Sequence, residues 1–128
     1  MRSDPFRAAA ESKDFSAVDE LFTEDVTFRS PVVFKPYEGR DALRLILSAV
    51  VQVFENFRYV SQVEDGDTAV LVFRAEAGGR ELDGVDILTF ADDGLIRELA
   101  VMVRPMSGMH ALAEEMRVRL EGAAESLA

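Results

Sequence analysis

Apolar residues change their period midway along the chain. Up to about Phe54 they recur at helical spacing, and after Asn56 they alternate, so helices should come first and strands afterwards. Asp4-Pro5 predicts a helix start, with Asp4 as the cap and proline in the first helical position, running to about Ser12. A second helix is expected from Asp14 or Ser16, burying Phe15, Val18, Leu21 and Phe22. Val26, Phe28 and Ser30 then alternate with Thr27 and Arg29, which predicts a strand that Pro31 ends or confines to an edge. Pro36 to Gly39 reads as a loop. Asp41 opens a third helix reaching about Phe54, whose polar positions Asp41, Arg44, Ser48, Gln52 and Glu55 form one narrow stripe. Such a helix should be buried on most sides.

Strands are predicted at about 57–64, 67–77, 80–91 and 95–104, separated by Asp65-Gly66, Gly78-Gly79 and Asp93-Gly94. Ser107 can cap a last helix, to about residue 123, with Met109, Leu112, Ala113, Met116 and Leu120 on its apolar side. Helices followed by an antiparallel meander make the fold α+β. The 128 residues show no repeat, low-complexity tract or linker, which suits a single domain over 1–128.

Within the meander, "ELDGVDILTF" (residues 81–90) reads as a strand apart from Asp86, a poor strand former. If Gly78-Gly79 is a two-residue hairpin turn, counting outward pairs Arg74 with Asp83, Phe73 with Gly84, Val72 with Val85 and Leu71 with Asp86. Leu71, Phe73, Ala75, Leu82, Gly84, Asp86, Leu88 and Phe90 then share one face, and the opposite face holds nearly all the charge, including an Arg74–Asp83 pair. The first face is therefore the core face and Asp86 points inward, where it must find hydrogen-bond donors or take up a proton. Buried acids of this kind cluster at functional sites. The alternatives are a register slip that turns Asp86 outward, or a structural bond to Arg97 or Arg29.

The outer face also carries an apolar group: Val70, Val72, Val85 and Ile87, with Ala100 and Met102 beside them. Such a patch marks an interface, and a twofold homodimer is its commonest form. A net charge of −10 with no Lys/Arg cluster argues against a nucleic-acid partner. No Cys and one His argue against disulfides, thiolate chemistry and a zinc site, so neither metal nor cofactor is expected. The N-terminus lacks a signal-type apolar stretch, and Ala42 to Phe54 is too short and too polar to span a bilayer. A cytoplasmic protein without a membrane partner is the expectation.

The order "DFSAVDELFTEDVTFRSP", "YEGRDAL", then "ELDGVDILTFADDGLIRELAVMV" resembles the nuclear transport factor two-like superfamily, over about residues 4–105. Within it the chain is most similar to SnoaL-like polyketide cyclases and ketosteroid isomerases. The resemblance implies a cone-shaped, mostly antiparallel curved sheet wrapped around a long helix, with one deep apolar cavity and dimerisation through the convex sheet face. It also implies that Asp86 stands where ketosteroid isomerases keep a protonated acid that donates a hydrogen bond to the developing enolate oxygen. Their catalytic base, an Asp before the proline ending the first strand, corresponds to Ser30, and their oxyanion-hole tyrosine falls near Phe6. A serine needs an activating neighbour and phenylalanine donates nothing, so the ketosteroid mechanism does not carry over. SnoaL-like cyclases imply acid–base work on a polyketide enolate by an acid of the cavity sheet. "VRPMSG" near the end of the match carries no activity with it.

The candidate catalytic set is Asp86, Ser30, Arg97 and His110. Alternation places Arg97, Leu99, Val101 and Val103 toward the cavity, although Arg97 can also reach solvent at the rim. His110, in the first turn of the last helix, becomes a proton shuttle only if that helix closes the cavity. The candidate pocket is Phe6, Phe28, Tyr59, Leu71, Phe73, Leu88, Leu99, Val101 and Val103, holding a small apolar molecule. Tyr37 and Glu38 fall at the expected cavity mouth, where a plain turn role competes. Met102, Met106, Met109 and Met116 suit an adaptable lid or dimer seam. Three functions remain open: a cofactor-free isomerase, cyclase or hydratase, a non-catalytic ligand-binding module, and a dimeric scaffold with a filled interior. Convergence of Asp86 with Tyr59, Ser30, Arg97 or His110 favours the first.

Overall fold

The computed structural model describes residues 1–127, with side chains as far as Gly122. Its elements are α1 (Asp4–Glu11), α2 (Val18–Leu21), β1 (Phe22–Arg29), β2 (Tyr37–Glu38), α3 (Arg40–Val53), β3 (Glu55–Asp65), β4 (Thr68–Ala77), β5 (Arg80–Phe90), β6 (Ile96–Arg104) and α4 (Met106–Leu127). One six-stranded sheet runs in the order β2-β1-β6-β5-β4-β3. It is curved and unclosed, antiparallel except where β1 lies parallel to β6. The α3 and α4 helices pack against each other, with α4 reaching β4, β5 and β6 and α3 reaching β1.

Gly78 and Gly79 both adopt positive φ, 55° and 77°, as a tight right-twisting hairpin turn requires. The turn fixes the β4–β5 register as counted from it, with Leu71 opposite Asp86, Phe73 opposite Gly84 and Arg74 opposite Asp83. The inner face of this hairpin buries Leu71, Phe73, Ala75, Leu82, Leu88 and Phe90. Phe73 needs the room that Gly84 leaves. A Cβ there would come within 2.6 Å of the Phe73 ring, and would also meet the Met102 carbonyl oxygen. Burial of this core is the main stabilising term, roughly 1.5–3 kcal/mol for each large side chain.

Four expectations about local structure give way. The N-cap of α1 is Ser3 rather than Asp4, because Ser3 is drawn inward. Its Oγ donates to Glu64 at 2.7 Å and accepts from Gln62 at 2.7 Å, clamping the N-terminus onto β3. The second helix is a single turn, since Phe22 already belongs to β1, and Leu21 is only half-buried. The loop at Pro36–Gly39 contains a two-residue strand, β2, whose Tyr37 and Glu38 pair with Phe28 and Thr27. The Arg74–Asp83 pair does not form, because Asp83 turns to Arg104 on its other side, at 3.4 Å.

Candidate functional site

A cavity of about 340 Å³ lies between the concave face of the sheet and the helices. Its wall is apolar: Phe6 and Phe15 from the N-terminal segment, Ile46, Leu47, Val50 and Val51 from α3, and Phe28, Leu99 and Val101 from β1 and β6. Leu112, Ala113, Met116 and Leu120 of α4 complete it. The volume suits a ligand of two or three fused rings.

Asp86 is the one buried carboxylate among the described residues, and it reaches this cavity. The β4–β5 register turns it inward, and β3, on the far side of β4, brings Tyr59 to it. The Tyr59 hydroxyl donates to Asp86 Oδ2 at 2.6 Å. Tyr59 is itself fixed edge-on against Phe57 and Phe73, with the Arg7 guanidinium over its ring at 5.7 Å. Burial pushes the Asp86 carboxyl up to about 7, the Tyr59 hydrogen bond opposing part of the rise. Burial, then the charge and hydrogen bond of Asp86, hold the Tyr59 phenol protonated, far above its ordinary value. The pair can therefore release or accept a proton at neutral pH through Asp86, while Tyr59 remains a donor.

Ser30 lies just beyond β1 and lines the same cavity. Its Oγ accepts from the N–H groups of Val32 and Val33, both at 3.0 Å. With both lone pairs taken, the hydroxyl keeps a proton to donate and has no basic site left. Lys13, Tyr37 and Arg117 are the other polar side chains along the wall, all exposed. Lys13 donates to the Phe54 carbonyl at the end of α3, and Arg117 is held between Glu114 and Glu121.

Several candidate residues fall elsewhere. Arg97 is exposed, because the register shift between Thr89 and Phe90 leaves it unpaired in the ladder. That shift puts both Ile96 and Leu99 inward, which strict alternation does not allow. His110 is exposed on α4 and is not part of the wall; the turns of α4 that close the cavity begin at Leu112. Leu71, Phe73 and Leu88 are packed in the core beneath the cavity, and Val103 is half-buried outside it. Neither Arg97 nor Arg29 bonds to Asp86; Arg29 pairs with Glu98. The sequence puts Tyr59 on the pocket and among four groups that could meet Asp86, without singling it out. Their contact runs diagonally across β4, and β-bulges in β3 hide its phase from strict alternation.

Among the described residues there is no cluster of three or more metal-ligating side chains, and no helix long and apolar enough to cross a membrane.

Fold and site together define a cystatin-like α+β cone with an acid at the inner wall of an apolar cavity. The chain belongs to the SnoaL-like domain family, whose model matches residues 5–99. Among solved structures it is similar to a steroid delta-isomerase from Pseudomonas aeruginosa, with 42% identity, TM-score 0.92, and coverage of 97% of this chain and 92% of that one. An uncharacterised protein with a cystatin-like fold from Silicibacter pomeroyi DSS-3 is 32% identical, with TM-score 0.92 and coverage of 98% and 89%. A nuclear transport factor two-like protein of unknown function from Mesorhizobium loti shares the fold at 23% identity and TM-score 0.71, over 81% and 88%. No functionally curated protein matches the chain.

Proposed function

We propose that this protein binds a small, largely apolar carbonyl compound and moves a proton at the carbon beside the carbonyl, with Asp86 as the proton carrier. The observation that carries this reading is the buried Asp86–Tyr59 pair, titrating near neutrality beside an apolar cavity. In the carboxylate form, Asp86 takes the proton as the C–H bond breaks, and the bonding electrons become the enolate. The Ser30 hydroxyl is free to donate to an oxygen bearing that charge. Return of the proton to the same carbon gives exchange, and return to a conjugated carbon gives isomerisation. Attack of the enolate on a second carbonyl of the substrate would give cyclisation. The likeness to a steroid delta-isomerase supports an enolisable ketone as substrate class. Ser30 at the expected base position supports a division of labour in which Asp86 serves as base as well as acid.

The test is α-proton exchange of 2-tetralone in deuterated water, followed by NMR. The wild-type protein should accelerate exchange at least ~10²-fold over buffer, within the usual range for a positioned acid–base group. Asp86→Asn should abolish the acceleration, while Tyr59→Phe should move its pH midpoint upward, since the Tyr59 bond holds Asp86 down. Binding of 2-tetralone without exchange would replace this reading by that of a binding module. That second reading is favoured by one observation: among the described residues, no base besides the Asp86 carboxylate is buried in the cavity wall.

A further inference from the structure

Helix α1 ends in a hydrogen-bonded stop. The N–H of Lys13 donates to the Ala10 carbonyl at 3.2 Å and the N–H of Asp14 to the Ala9 carbonyl at 2.9 Å, the two bonds that define a Schellman cap. The residue at the centre of such a cap takes a left-handed backbone, and Lys13 has φ 58°. Glycine is the usual occupant, because a Cβ is unfavourable there. Asn56, the other non-glycine residue with positive φ among the described residues, is of a type that tolerates it. Lysine stands at position 13 against local backbone preference, so the reason for it has to lie in the side chain.

That side chain lines the cavity. Its Nζ donates to the Phe54 carbonyl at 3.4 Å, and among the described residues it has no carboxylate partner. The acids near it in sequence are engaged elsewhere: Glu11 pairs with Arg7, and Asp14 accepts from the N–H of Ser16. Arg117, the other cation on the wall, lies between Glu114 and Glu121 and is neutralised by them. In a chain of net charge −10, Lys13 is thus an unanswered positive charge on the wall of an apolar cavity, with N–H donors unspent. Three rings link its end of the wall to the acid. Phe54 stacks on Phe57 at 5.3 Å, Phe57 meets Tyr59 edge-on at 4.9 Å, and Tyr59 holds Asp86. The cavity has a cation at one end of an aromatic floor and a proton carrier at the other.

We infer that the cavity selects an apolar cyclic ketone bearing a carboxylate, and that Lys13 is the specificity-determining residue that holds this group. The inference rests on the carbonyl chemistry proposed above and names the substrate class within it. With its carbonyl toward Asp86, the ring system lies along Phe57 and Phe54, and its carboxylate meets the Lys13 ammonium at the end of α3. One free ammonium matches one negative charge. A phosphate carries close to two and calls for more donors than this wall supplies, since Arg117 is already spent on two carboxylates. The backbone at Lys13 sets up a trade: Lys13→Gly relaxes the cap and discards the charge in one step, so stability and selectivity move in opposite directions.

Calorimetry with the whole chain tests this, using 2-tetralone-6-carboxylate and its methyl ester, which has the same frame without the charge. Lys13 is exposed, so the wild type should bind the carboxylate about fivefold more tightly than the ester in low salt, and about 0.5 M NaCl should remove most of that preference. Lys13→Gly should bind both compounds equally and melt roughly 2–5 °C higher, which separates the loss of selectivity from unfolding. Lys13→Arg, which keeps the charge, should keep the preference within about twofold. Lys35→Ala removes an exposed cation that is not part of the wall and should leave the preference unchanged. Equal binding of carboxylate and ester by the wild type overturns the inference, as does a preference that survives Lys13→Gly or a failure of both compounds to bind. Exchange of the α-protons of neutral 2-tetralone reads the proposed chemistry separately. A charge preference without exchange keeps the assignment of Lys13 and removes only the proton transfer.

Discussion

A carboxyl group buried against a tyrosine makes stability respond to pH in the opposite sense from Asp4, Asp14, Glu64 and Glu114, whose carboxyls are held low. Asp86 titrates near 7 when folded and near 4 when unfolded, so in this window the folded state holds the proton more tightly. Its contribution is fully present below pH ~4, declines as pH rises, and is gone above pH ~7, a change of about 4 kcal/mol. Glu64 runs the other way: burial raises it, but hydrogen bonds from Ser3 and Arg2 outweigh that and hold it low, so its contribution is lost in acid. Asp86→Asn isolates the first effect. Denaturant unfolding of both proteins from pH 4 to 8 should show the variant gaining on the wild type by several kcal/mol across that range. A constant difference would mean that Asp86 is not neutralised by burial. The inward turn of Asp86 is legible in the sequence because a Gly-Gly hairpin leaves one register. Its partner is not, because Tyr59 reaches it over an intervening strand and through bulges that no periodicity records.

The β4–β5 hairpin shows why some elements are readable and others not. Its register follows from local turn chemistry, and the helical stripe of α3 follows from local periodicity. Strand β2, the shortness of α2 and the outward turn of Arg97 depend on what lies across the sheet, and neighbours in sequence carry no trace of it. Gly84 belongs to the same class of long-range constraint. It faces Phe73 on β4 and the backbone of β6 at once, so its lack of a Cβ is required by two strands. Gly84→Ala should cost about 2–4 kcal/mol through overpacking, despite the better strand propensity of alanine. A thermal melt should fall by roughly 5–15 °C, on the usual conversion for a domain of this size. The same substitution at Gly79, where no atom lies near, carries only the penalty of its positive φ and should cost less.

The two faces of the sheet divide the molecule's work, and that division makes its own prediction. Asp86, Val101 and Leu99 point to the cavity, while Val85, Ile87, Ala100 and Met102 alternate with them on the outer face. Residues of α4 and the segment Pro31–Val33 complete the cavity wall. None of these outer-face residues lines the cavity. Coupling between sites needs a two-state element that both ligands bias. Here the sheet between the outer face and the cavity is packed on its inner side with fully buried Phe73, Leu71 and Leu88, and has no slack to serve as one. Titration of the protein with 2-tetralone, followed by calorimetry, should give one affinity per chain and a Hill coefficient near 1. Met102→Glu, whose side chain lies on the outer face, should leave that affinity within about twofold. A large loss of affinity in that variant would mean that the inner wall is held in shape from the outer face.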